Sequence, residues 1–584
     1  MRDLEQLFNQ GVEALQRGDY DRAATCFGTA FTRDPNFAPA YNGLGLVLMN
    51  LGAMPEALER YNTAIRIAPD FASPYINRGI VLRAMGRREE ALASLERAIA
   101  LAPDNPNAHS NRGSLLTEMD KPAPAIAAFD RTLAINPDYR HARGLRLLNK
   151  VHICDWTNFE SELADLAARI DRGQNASPPW ALIPLLDRPD CQRAMAEAFI
   201  ASDLPENTAL GPLRKRARPG RIKIGYYSWD FHRHATAHLI AELFERHDRA
   251  KFEVIAFHWG PQTGDDMQAR LKAGVDRFIE VGDKSDLDVA RLSRELDIDI
   301  AIDLKGITTG HRLGIFSYRA APIQVHYLGY PHTIGAPYID YLIADDTIVP
   351  ATHRRFYRET VVALPHSYQV NDSRRKIAER DFTRANLDLP DQGFVFCALN
   401  NNYKLLPATF DSWMRILAAV PGSILWLLDD TDIVKRNLRE EAKQRGVDPE
   451  RLTFAPRVKS EDHLARLKVA GLFLDGWPCN AHTTASDALW VGLPVLTKPG
   501  DTFTSRVAAS LVKAVGMPEL IMASVAEYES TAIALATEPA RLQALKDKLA
   551  ANRATAPLFD IGLFTHNIEA AFLRMIDTHY GASS

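Results

Sequence analysis

The sequence predicts an α-solenoid of helical repeats followed by two doubly wound α/β domains. Two observations predict this fold class. In the first quarter of the chain, small residues and prolines recur with a period of 34 residues, and beyond residue 221 short apolar runs alternate with stretches of helical periodicity. The first pattern is typical of stacked helix pairs, and the second is typical of parallel sheets with helices on both faces.

The 34-residue period is visible at several positions of the repeat. The recurring residues are the glycines Gly11, Gly45, Gly79 and Gly113, the alanines Ala23, Ala57, Ala91 and Ala125, the large apolar residues Phe27, Tyr61, Leu95 and Phe129, and the prolines Pro35, Pro69, Pro103 and Pro137. This pattern is the signature of tetratricopeptide repeats. Four repeats are predicted within residues 1–142, and they should stack into a superhelix with a concave groove because no single helix pair buries its own apolar face.

A row of amides is predicted along this groove. Two positions before the repeat glycine stand Asn9, Gly43, Asn77 and Asn111. Amides spaced one per repeat predict a ladder that hydrogen-bonds the backbone of an extended protein or peptide acceptor. The alternative is that they bond neighbouring helix carbonyls, and Gly43 interrupts the row in either case.

Residues 143–220 are predicted to form a helical connector that docks the repeats on the α/β domains. Helical periodicity continues to about residue 172, residues 173–179 form a turn-rich joint, and residues 191–201 are predicted to be helical again.

Beyond residue 221, strands and helices alternate in two blocks. An N-terminal catalytic domain is predicted at 221–380, and a C-terminal nucleotide-sugar-binding domain with C-terminal helices at 381–584. The predicted strands are 222–227, 253–258, 277–281, 298–304, 323–328 and 341–344 in the first block, and 395–399, 424–428, 452–454, 472–474 and 495–497 in the second. Because doubly wound sheets bind ligands beyond the carboxyl ends of their strands, we expect the substrates in the cleft between the two domains.

Composition excludes several classes of function. The chain is 46% hydrophobic and 24% charged, with a net charge of −4, which favours neither a nucleic-acid nor a membrane partner. The five cysteines show no CxxC pair or metal-ligand spacing, so a reducing compartment fits best. Since the N-terminus lacks a signal peptide and no run reaches the ~20 apolar residues of a membrane span, we expect a cytoplasmic protein.

The segment 471–499 predicts a binding site for a nucleotide diphosphate. It reads as a buried strand, a polar turn containing His482, Thr483 and Thr484, and then a helix. A helix N-terminus carries unpaired N–H groups and roughly half a positive charge, which suits phosphate. The alternative is a helix cap formed by Thr484 and Asp487.

Lys404 follows the predicted strand 395–399 and should point into the cleft, where its ammonium neutralises a phosphate. Taken alone, it would more often be a solvated surface lysine. Together with the helix N-terminus, it stabilises a nucleoside diphosphate leaving group without a metal. The sequence LLDDTD supplies Asp429, Asp430 and Asp432, but a solvated turn is favoured there over a Mg²⁺ site.

A cluster of polar residues follows the first predicted strand, in SWDFHRHATAHL. It contains Asp230, His232, His234, Thr236 and His238. His234 and His238 have the spacing of two metal ligands on a helix, but no HExxH glutamate accompanies them. A histidine here instead predicts a proton relay or a hydrogen-bond partner for an acceptor hydroxyl, and a buried, satisfied histidine is the alternative for each.

Taken together, these motifs resemble the O-linked N-acetylglucosamine transferase family, inverting glycosyltransferases of the GT-B fold joined to tetratricopeptide repeats. The resemblance rests on the repeats and, in order, on DFHRHATAHL, APIQVHYLGYPHTIGA, NNNYK, LDGWPCNAHTTASDALWVGLPVLTKPG and TSRVAAS. It implies metal-independent transfer of N-acetylglucosamine from UDP-GlcNAc to Ser or Thr of proteins, with no cofactor beyond the donor substrate.

The resemblance also implies the roles of individual residues. On the donor side, the residues that hold the diphosphate, ribose and uracil are Lys404, His482, Thr483, Thr484, Asp487, His463 and Arg466. On the acceptor side, the residues near the acceptor and the reacting sugar are Asp230, His234 and Thr236, and those lining the sugar pocket are Leu328 and Gly329.

Three departures bear on the donor and acceptor. Animal members have a long insertion and many more repeats, and they have glutamine where this chain has Asn401. The plant O-fucosyl branch and Asn-glucosylating bacterial relatives share the scaffold, so UDP-glucose, with Asn or Ser/Thr as acceptor, and GDP-fucose are alternative donors. The alternative from another functional class is a non-catalytic scaffold whose repeats bind partners.

We favour UDP because His463 and Arg466 suit a pyrimidine edge. We favour GlcNAc because small residues beside Cys479 and Leu328 leave room for the acetamido group.

Overall fold

A computed structural model describes residues 2–581 of the chain. It confirms the predicted fold class, with helix pairs at the N-terminus followed by two α/β domains whose sheets are parallel. The chain divides into two compact units, residues 1–150 and residues 151–584. No helix in the described range is both long and apolar enough to cross a membrane.

The first unit consists of helix pairs that pack in sequence order. Its helices are α1 (Arg2–Gln16), α2 (Tyr20–Arg33), α3 (Ala38–Asn50), α4 (Met54–Ile67), α5 (Ala72–Ala84), α6 (Arg88–Leu101), α7 (Pro106–Glu118) and α8 (Pro122–Ile135). The repeat glycine lets the two helices of a pair approach closely. A Cβ atom at Gly45 would lie 2.5 Å from the ring of Tyr61, and one at Gly113 would lie 2.8 Å from the ring of Phe129. The large residue of one helix therefore fills the space that the glycine leaves on the other.

The amides of the repeats bond partly to one another. Nδ2 of Asn77 donates to Oδ1 of Asn42 across 2.9 Å, and Nδ2 of Asn111 donates to the carbonyl of Asn107, one turn earlier in its own helix. Asn9 is exposed on α1. Asn111 thus makes the bond to a helix carbonyl that the alternative expects, and the ladder for an acceptor backbone stays a prediction. Asn42 takes part in the row beside Gly43.

The connector contains four helices. They are α9 (Ala142–His152), α10 (Phe159–Asp171), α11 (Pro179–Leu182) and α12 (Pro189–Asp203). The helical run predicted to residue 172 is interrupted between α9 and α10, because Cys154 and Asn158 adopt left-handed backbone conformations with φ of 52° and 57°.

The first sheet of the second unit has seven parallel strands. They are β1 (Ile222–Ser228), β2 (Phe252–His258), β3 (Arg277–Glu280), β4 (Ile300–Asp303), β5 (Ile323–His326), β6 (Tyr341–Asp345) and β7 (Thr360–Leu364), in the spatial order β3-β2-β1-β4-β5-β6-β7. Its helices are α13 (Ala235–Arg246), α14 (Asp266–Ala273), α15 (Asp286–Glu295) and α16 (Gly314–Ser317). The prediction omits β7, an edge strand of which only Leu364 is fully buried.

The second sheet has five parallel strands. They are β8 (Val395–Ala398), β9 (Ile424–Leu428), β10 (Leu452–Ala455), β11 (Leu472–Leu474) and β12 (Val495–Leu496), in the spatial order β10-β9-β8-β11-β12. The remaining helices are α17 (Pro407–Ala419), α18 (Asp432–Gln444), α19 (Ser460–Leu467), α20 (Thr483–Trp490), α21 (Val507–Ala514), α22 (Val525–Thr537), α23 (Pro539–Arg553) and α24 (Ile561–Tyr580). Short 3₁₀ helices lie at Ala351–Phe356, Ala385–Leu387, Asn402–Lys404, Pro449–Arg451, Pro518–Leu520 and Pro557–Phe559.

The last helix, α24, packs on the first sheet rather than the second. It contacts α13, β5 and β7, and Glu569 accepts hydrogen bonds from the ring of His247 and the backbone N–H of Asp248. The chain thus crosses between the two α/β domains twice, once at residues 371–380 and once just before α24. The two crossings touch, because Nδ2 of Asn371 donates to the carbonyl of Leu558 across 3.2 Å.

Candidate active site

The turn after β11 is fixed by a fully buried aspartate. Asp475 accepts hydrogen bonds of 2.6 Å from the backbone N–H of Ala481 and from the hydroxyl of Thr497. Burial raises the pKa of Asp475 to about 7, although these hydrogen bonds and the nearby Lys404 act in the opposite direction. Asp475 therefore fixes the conformation of the turn that leads into α20.

The helix α20 begins with two half-buried threonines, Thr483 and Thr484. His482 is its N-cap residue and makes no side-chain capping bond. Thr484 donates its hydroxyl to the side chain of Asn400, and Asp487 pairs with Arg375, so these residues do not form the alternative helix cap. The first N–H groups of the helix have no carbonyl partner within it, which suits them to an anion.

Lys404 reaches this turn from the neighbouring strand. It ends the 3₁₀ helix after β8, which pairs with β11, and its Nζ donates to the carbonyl of Asn480 across 2.8 Å. Burial alone would lower the pKa of Lys404, but Cys479, Tyr403 and Asp475 hold it above its ordinary value. A charged ammonium thus stands beside the N-terminus of α20. Cys479 is buried, and burial raises the pKa of its thiol.

His482 is neutral in this setting. Burial and the charge of Lys404 lower its pKa well below the ordinary value. Its Nε2 lies 3.3 Å from the carbonyl of Thr504, so Nε2 carries the proton and Nδ1 is an acceptor. Thr483 follows as the first residue of α20 and is half-buried.

A connector residue fixes the loop that supports His482. The carboxylate of Asp187 accepts hydrogen bonds from the backbone N–H of Asp501 (3.0 Å), the N–H of Thr502 (2.8 Å) and the hydroxyl of Ser505 (2.8 Å). The carbonyl of Thr504, in the same loop, accepts from Asn480 and faces His482. The connector therefore contributes to the shape of the candidate phosphate site.

The two residues expected beside the uracil lie together on α19. The guanidinium of Arg466, which is 1% exposed, donates to Nδ1 of His463 across 3.1 Å. Burial lowers the pKa of His463 to about 4 and that of Arg466 to about 10. His463 is thus neutral, with its remaining proton on Nε2. Asn401 is exposed, and its side-chain oxygen accepts from Arg457.

On the first domain, Asp230 and His234 lie together at the carboxyl end of β1. Asp230 is buried, and its Oδ2 is 3.7 Å from Nδ1 of His234. His234 caps α13, because its Nδ1 accepts from the backbone N–H of Thr236 across 3.2 Å. Although its side chain is 42% exposed, desolvation by the surrounding protein lowers the pKa of His234, which favours the neutral imidazole with its proton on Nε2.

His238, on the first domain, lies close enough to Arg375 and Asp487 to feel their charges. It lies one turn further along α13, and its pKa is lowered by burial and by Arg375 but raised by Asp487. The start of α13 therefore faces α20, which belongs to the other domain.

Leu328 and Gly329 lie just beyond β5, next to the end of β4. Leu328 has a left-handed backbone with φ of 67°. A Cβ atom at Gly329 would lie 1.9 Å from the carbonyl oxygen of Leu304 and 2.8 Å from the backbone nitrogen of Lys305. Only glycine permits this approach, which places the expected sugar-pocket residues beside Lys305.

The aspartates of LLDDTD contact protein groups. Lys435 lies 3.2 Å from Asp429 and 3.1 Å from Asp432, while Asp430 accepts from the side chain of Asn402 across 2.7 Å.

Sequence reasoning missed three residues of this region: Asp187, Lys305 and Arg375. Lys305 follows β4 as Lys404 follows β8, so its position after a strand is a signal that would have found it. Arg375 and Asp187 carry no such signal, because they lie in a polar junction and in the connector.

The chain matches glycosyl transferase family 41 over residues 209–381 and 380–568, and tetratricopeptide repeats over residues 8–70 and 81–120. It is 36% identical over 374 residues, which are 63% of this chain, to the probable UDP-N-acetylglucosamine–peptide N-acetylglucosaminyltransferase SEC of Arabidopsis thaliana. It is 28% identical over 543 residues, 71% of this chain, to the UDP-N-acetylglucosamine–peptide N-acetylglucosaminyltransferase of Caenorhabditis elegans. The matches cover 38% and 47% of these relatives' lengths, so the chain spans less than half of either.

A solved structure of similar extent exists. A mutant of the O-GlcNAc transferase of Thermobaculum terrenum aligns with 99% of this chain and 98% of its own, with 25% sequence identity and a TM-score of 0.63.

Proposed function

The chain belongs to glycosyl transferase family 41, and from this membership we propose that it transfers N-acetylglucosamine from UDP-GlcNAc to Ser or Thr hydroxyls of proteins. The hydroxyl oxygen forms a bond to the anomeric carbon, the bond from that carbon to the diphosphate breaks, and the hydroxyl proton is released. The products are glycosylated protein, UDP and a proton. Attack on the face opposite the leaving group inverts the anomeric configuration.

One observation carries this proposal. The ammonium of Lys404 and the uncapped N-terminus of α20 meet at the ends of paired strands, with Lys404 2.8 Å from the carbonyl of Asn480. Negative charge builds up on the diphosphate as its bond to the sugar breaks. A fixed cation and oriented N–H groups stabilise that charge in the transition state.

The same arrangement supports a reaction without metal. Lys404 and α20 supply the positive charge that a divalent cation would otherwise supply. The aspartates of LLDDTD are engaged by protein groups, since Asp429 faces Lys435 and Asp430 accepts from Asn402.

The groups on α19 support UDP as the nucleotide. Neutral His463 has a free N–H at Nε2, and the buried Arg466 holds the ring in one orientation. A pyrimidine edge needs a few oriented donors and acceptors, and a purine offers a different pattern. A mismatch at such a buried edge costs about 1–3 kcal/mol.

The proposed acceptors are proteins recruited by the repeats. Tetratricopeptide superhelices present an extended concave surface, and the amides of Asn77 and Asn111 lie on equivalent positions of successive repeats.

The test is release of UDP on incubation with UDP-GlcNAc and a protein mixture, with and without a metal chelator. We expect equal turnover in both and incorporation of the sugar into protein. Loss of turnover with chelator contradicts metal independence.

Titration calorimetry with UDP-GlcNAc, UDP-glucose and GDP-fucose tests the donor. Tightest binding of GDP-fucose or UDP-glucose overturns the assignment of UDP-GlcNAc. Absence of turnover with every nucleotide sugar favours the non-catalytic scaffold.

A further inference from the structure

A buried ion pair lies beneath the acceptor side of the cleft. Nζ of Lys305, at the carboxyl end of β4, lies 2.9 Å from each carboxylate oxygen of Asp230, at the end of the adjacent strand β1. Lys305 is 8% exposed and Asp230 3% exposed. Buried charges are costly unless they are paired in good geometry, and here both oxygens bind one ammonium. The carboxylate is therefore held in a single orientation.

The backbone of Lys305 is fixed from the other side. The carboxylate of Asp303 accepts from the N–H groups of Lys305 and Gly306, each at 2.9 Å. Asp303 is in turn 3.2 Å from Nδ1 of the fully buried His326, whose Nε2 is 2.6 Å from the carbonyl of Tyr330.

Both nitrogens of His326 face acceptors, so both carry protons and the ring is charged. Its pKa is accordingly raised: burial opposes the charge, but Asp303 and the Tyr330 carbonyl outweigh it. Opposite charges thus alternate from His326 through Asp303 and Lys305 to Asp230.

His234 lies at the far end of this row. The charged and titratable groups that face it are Asp230, Lys305, His232 and His238. Burial lowers the pKa of His234, Asp230 raises it, and Lys305 and the two histidines lower it. Removal of the charge of Lys305 therefore raises the pKa of His234.

We propose, building on the function proposed above, that Lys305 is a positioning residue of the transferase, which holds the carboxylate of Asp230 in one orientation beside His234. With both oxygens on the ammonium of Lys305, the carboxylate of Asp230 is a negative charge of fixed position and orientation. Such a charge stabilises the positive charge that develops on a sugar ring during glycosyl transfer. Neutral His234 remains a hydrogen-bond donor through Nε2.

The first test compares Lys305→Met and Lys305→Arg with Lys223→Met as a control. Lys223 lies at the other end of β1, where its Nζ donates to the carbonyl of Leu296. We expect kcat to fall by about 10²-fold in Lys305→Met with the KM for UDP-GlcNAc within about threefold, because the donor site lies on the other domain. Lys305→Arg should keep most of kcat, since arginine also binds both oxygens of a carboxylate. Unchanged kcat in Lys305→Met overturns the proposal.

The second test needs no turnover. With histidine labelled at Cε1 and the signal of His234 identified by its loss in His234→Gln, NMR titration should show a higher pKa of His234 in Lys305→Met. Lys305→Arg and Lys223→Met should match the unsubstituted protein. An unchanged titration of His234 in Lys305→Met overturns the proposal, even where the protein transfers no sugar and the proposed function fails.

A further variant covers the case in which Lys305→Met does not fold. Asp230→Asn keeps the shape of the side chain and removes the charge that raises the pKa of His234. The titration of His234 should then move to lower pH, and an unchanged value contradicts the coupling.

Discussion

The guanidinium of Arg375 donates to the carboxylate of Asp487 across 2.5 Å, and both side chains are largely buried. Arg375 lies in the polar segment 371–380 that joins the two α/β domains, and Asp487 lies on α20, whose N-terminus faces Lys404. The joining segment is therefore tied to the helix that forms the candidate phosphate site.

We expect Arg375→Met to destabilise the protein and weaken UDP binding. It leaves the carboxylate of Asp487 buried without its partner, which costs about 3 kcal/mol. Thermal unfolding should shift to lower temperature, and calorimetry should show about tenfold weaker binding of UDP, which corresponds to about 1.4 kcal/mol. The double variant Arg375→Met/Asp487→Leu should recover stability but not affinity. An unfolding temperature equal to that of the unsubstituted protein would show that the pair is dispensable.

Lys404→Ala should reduce turnover by at least ~10²-fold, because it removes a cation that stabilises charge on the leaving diphosphate. The measurement is UDP release, with far-ultraviolet circular dichroism to show that the fold survives. Lys435→Ala, on α18, is the matched control and should keep normal turnover. Near-normal activity in folded Lys404→Ala would place the diphosphate elsewhere.

The half-buried His463 should make the protein less stable as the pH falls. Its pKa is about 4 in the folded protein, because burial disfavours the charged ring, and about 6.5 in the unfolded chain. Between these values the unfolded chain binds more protons, so the free energy of unfolding rises with pH. The part of the free energy of unfolding that comes from the neutral His463 is fully present above about pH 6.5, and it is lost as the pH falls towards 4.

Thermal unfolding of the protein and of His463→Gln between about pH 5 and 7 checks this expectation. Glutamine keeps an acceptor for Arg466 but does not titrate, so the variant should lose less stability on acidification. Parallel curves for the two proteins would contradict the shift in pKa.

Asp187→Ala should weaken UDP binding although Asp187 lies in the connector. The change releases the loop 500–505, whose Thr504 carbonyl faces His482 and Asn480. Calorimetry should show a several-fold rise in the Kd for UDP, since each lost hydrogen bond to a charged group is worth about 1.5–3 kcal/mol to the position of the loop. Asp190→Ala, three residues away and paired with Arg188 at the surface, is the control. Equal affinities in both variants would limit Asp187 to a structural role.

Deletion of residues 1–108 should abolish transfer to whole proteins but leave slow hydrolysis of UDP-GlcNAc. The reason is that the groove recruits acceptors, whereas the donor site lies within residues 151–584. Sugar incorporation into protein and UDP release in water are measured side by side. Equal loss of both would mean that the repeats chiefly support the catalytic domains.

Local patterns in the sequence predict most of this fold. The repeats carry their own period, and the strands of both sheets are short apolar runs, so their positions follow without knowledge of distant contacts. The prediction omits the edge strand β7, although its residues Val361–Leu364 also form a short apolar run.

A residue of the candidate site can be predicted only where the signal for its role lies in one continuous segment of the sequence. The HTT turn and Lys404 each follow a strand and could be found. The pairing of Lys305 with Asp230 joins positions 75 residues apart, and that of Arg375 with Asp487 joins positions 112 apart. Such pairs depend on the order of strands in the sheet and on how the two domains meet.

The contact between Asn371 and Leu558 has a mechanical consequence. The two crossings between the α/β domains lie side by side, so they form a double-stranded hinge rather than a single flexible tether. Two adjacent connections restrict twisting between the domains more than one would, and the bonds from Ser510 to Asp345 and from Arg506 to the carbonyl of Thr347 restrict it further. Any opening of the cleft between the domains should therefore be a rotation about the line that joins residues 371 and 558.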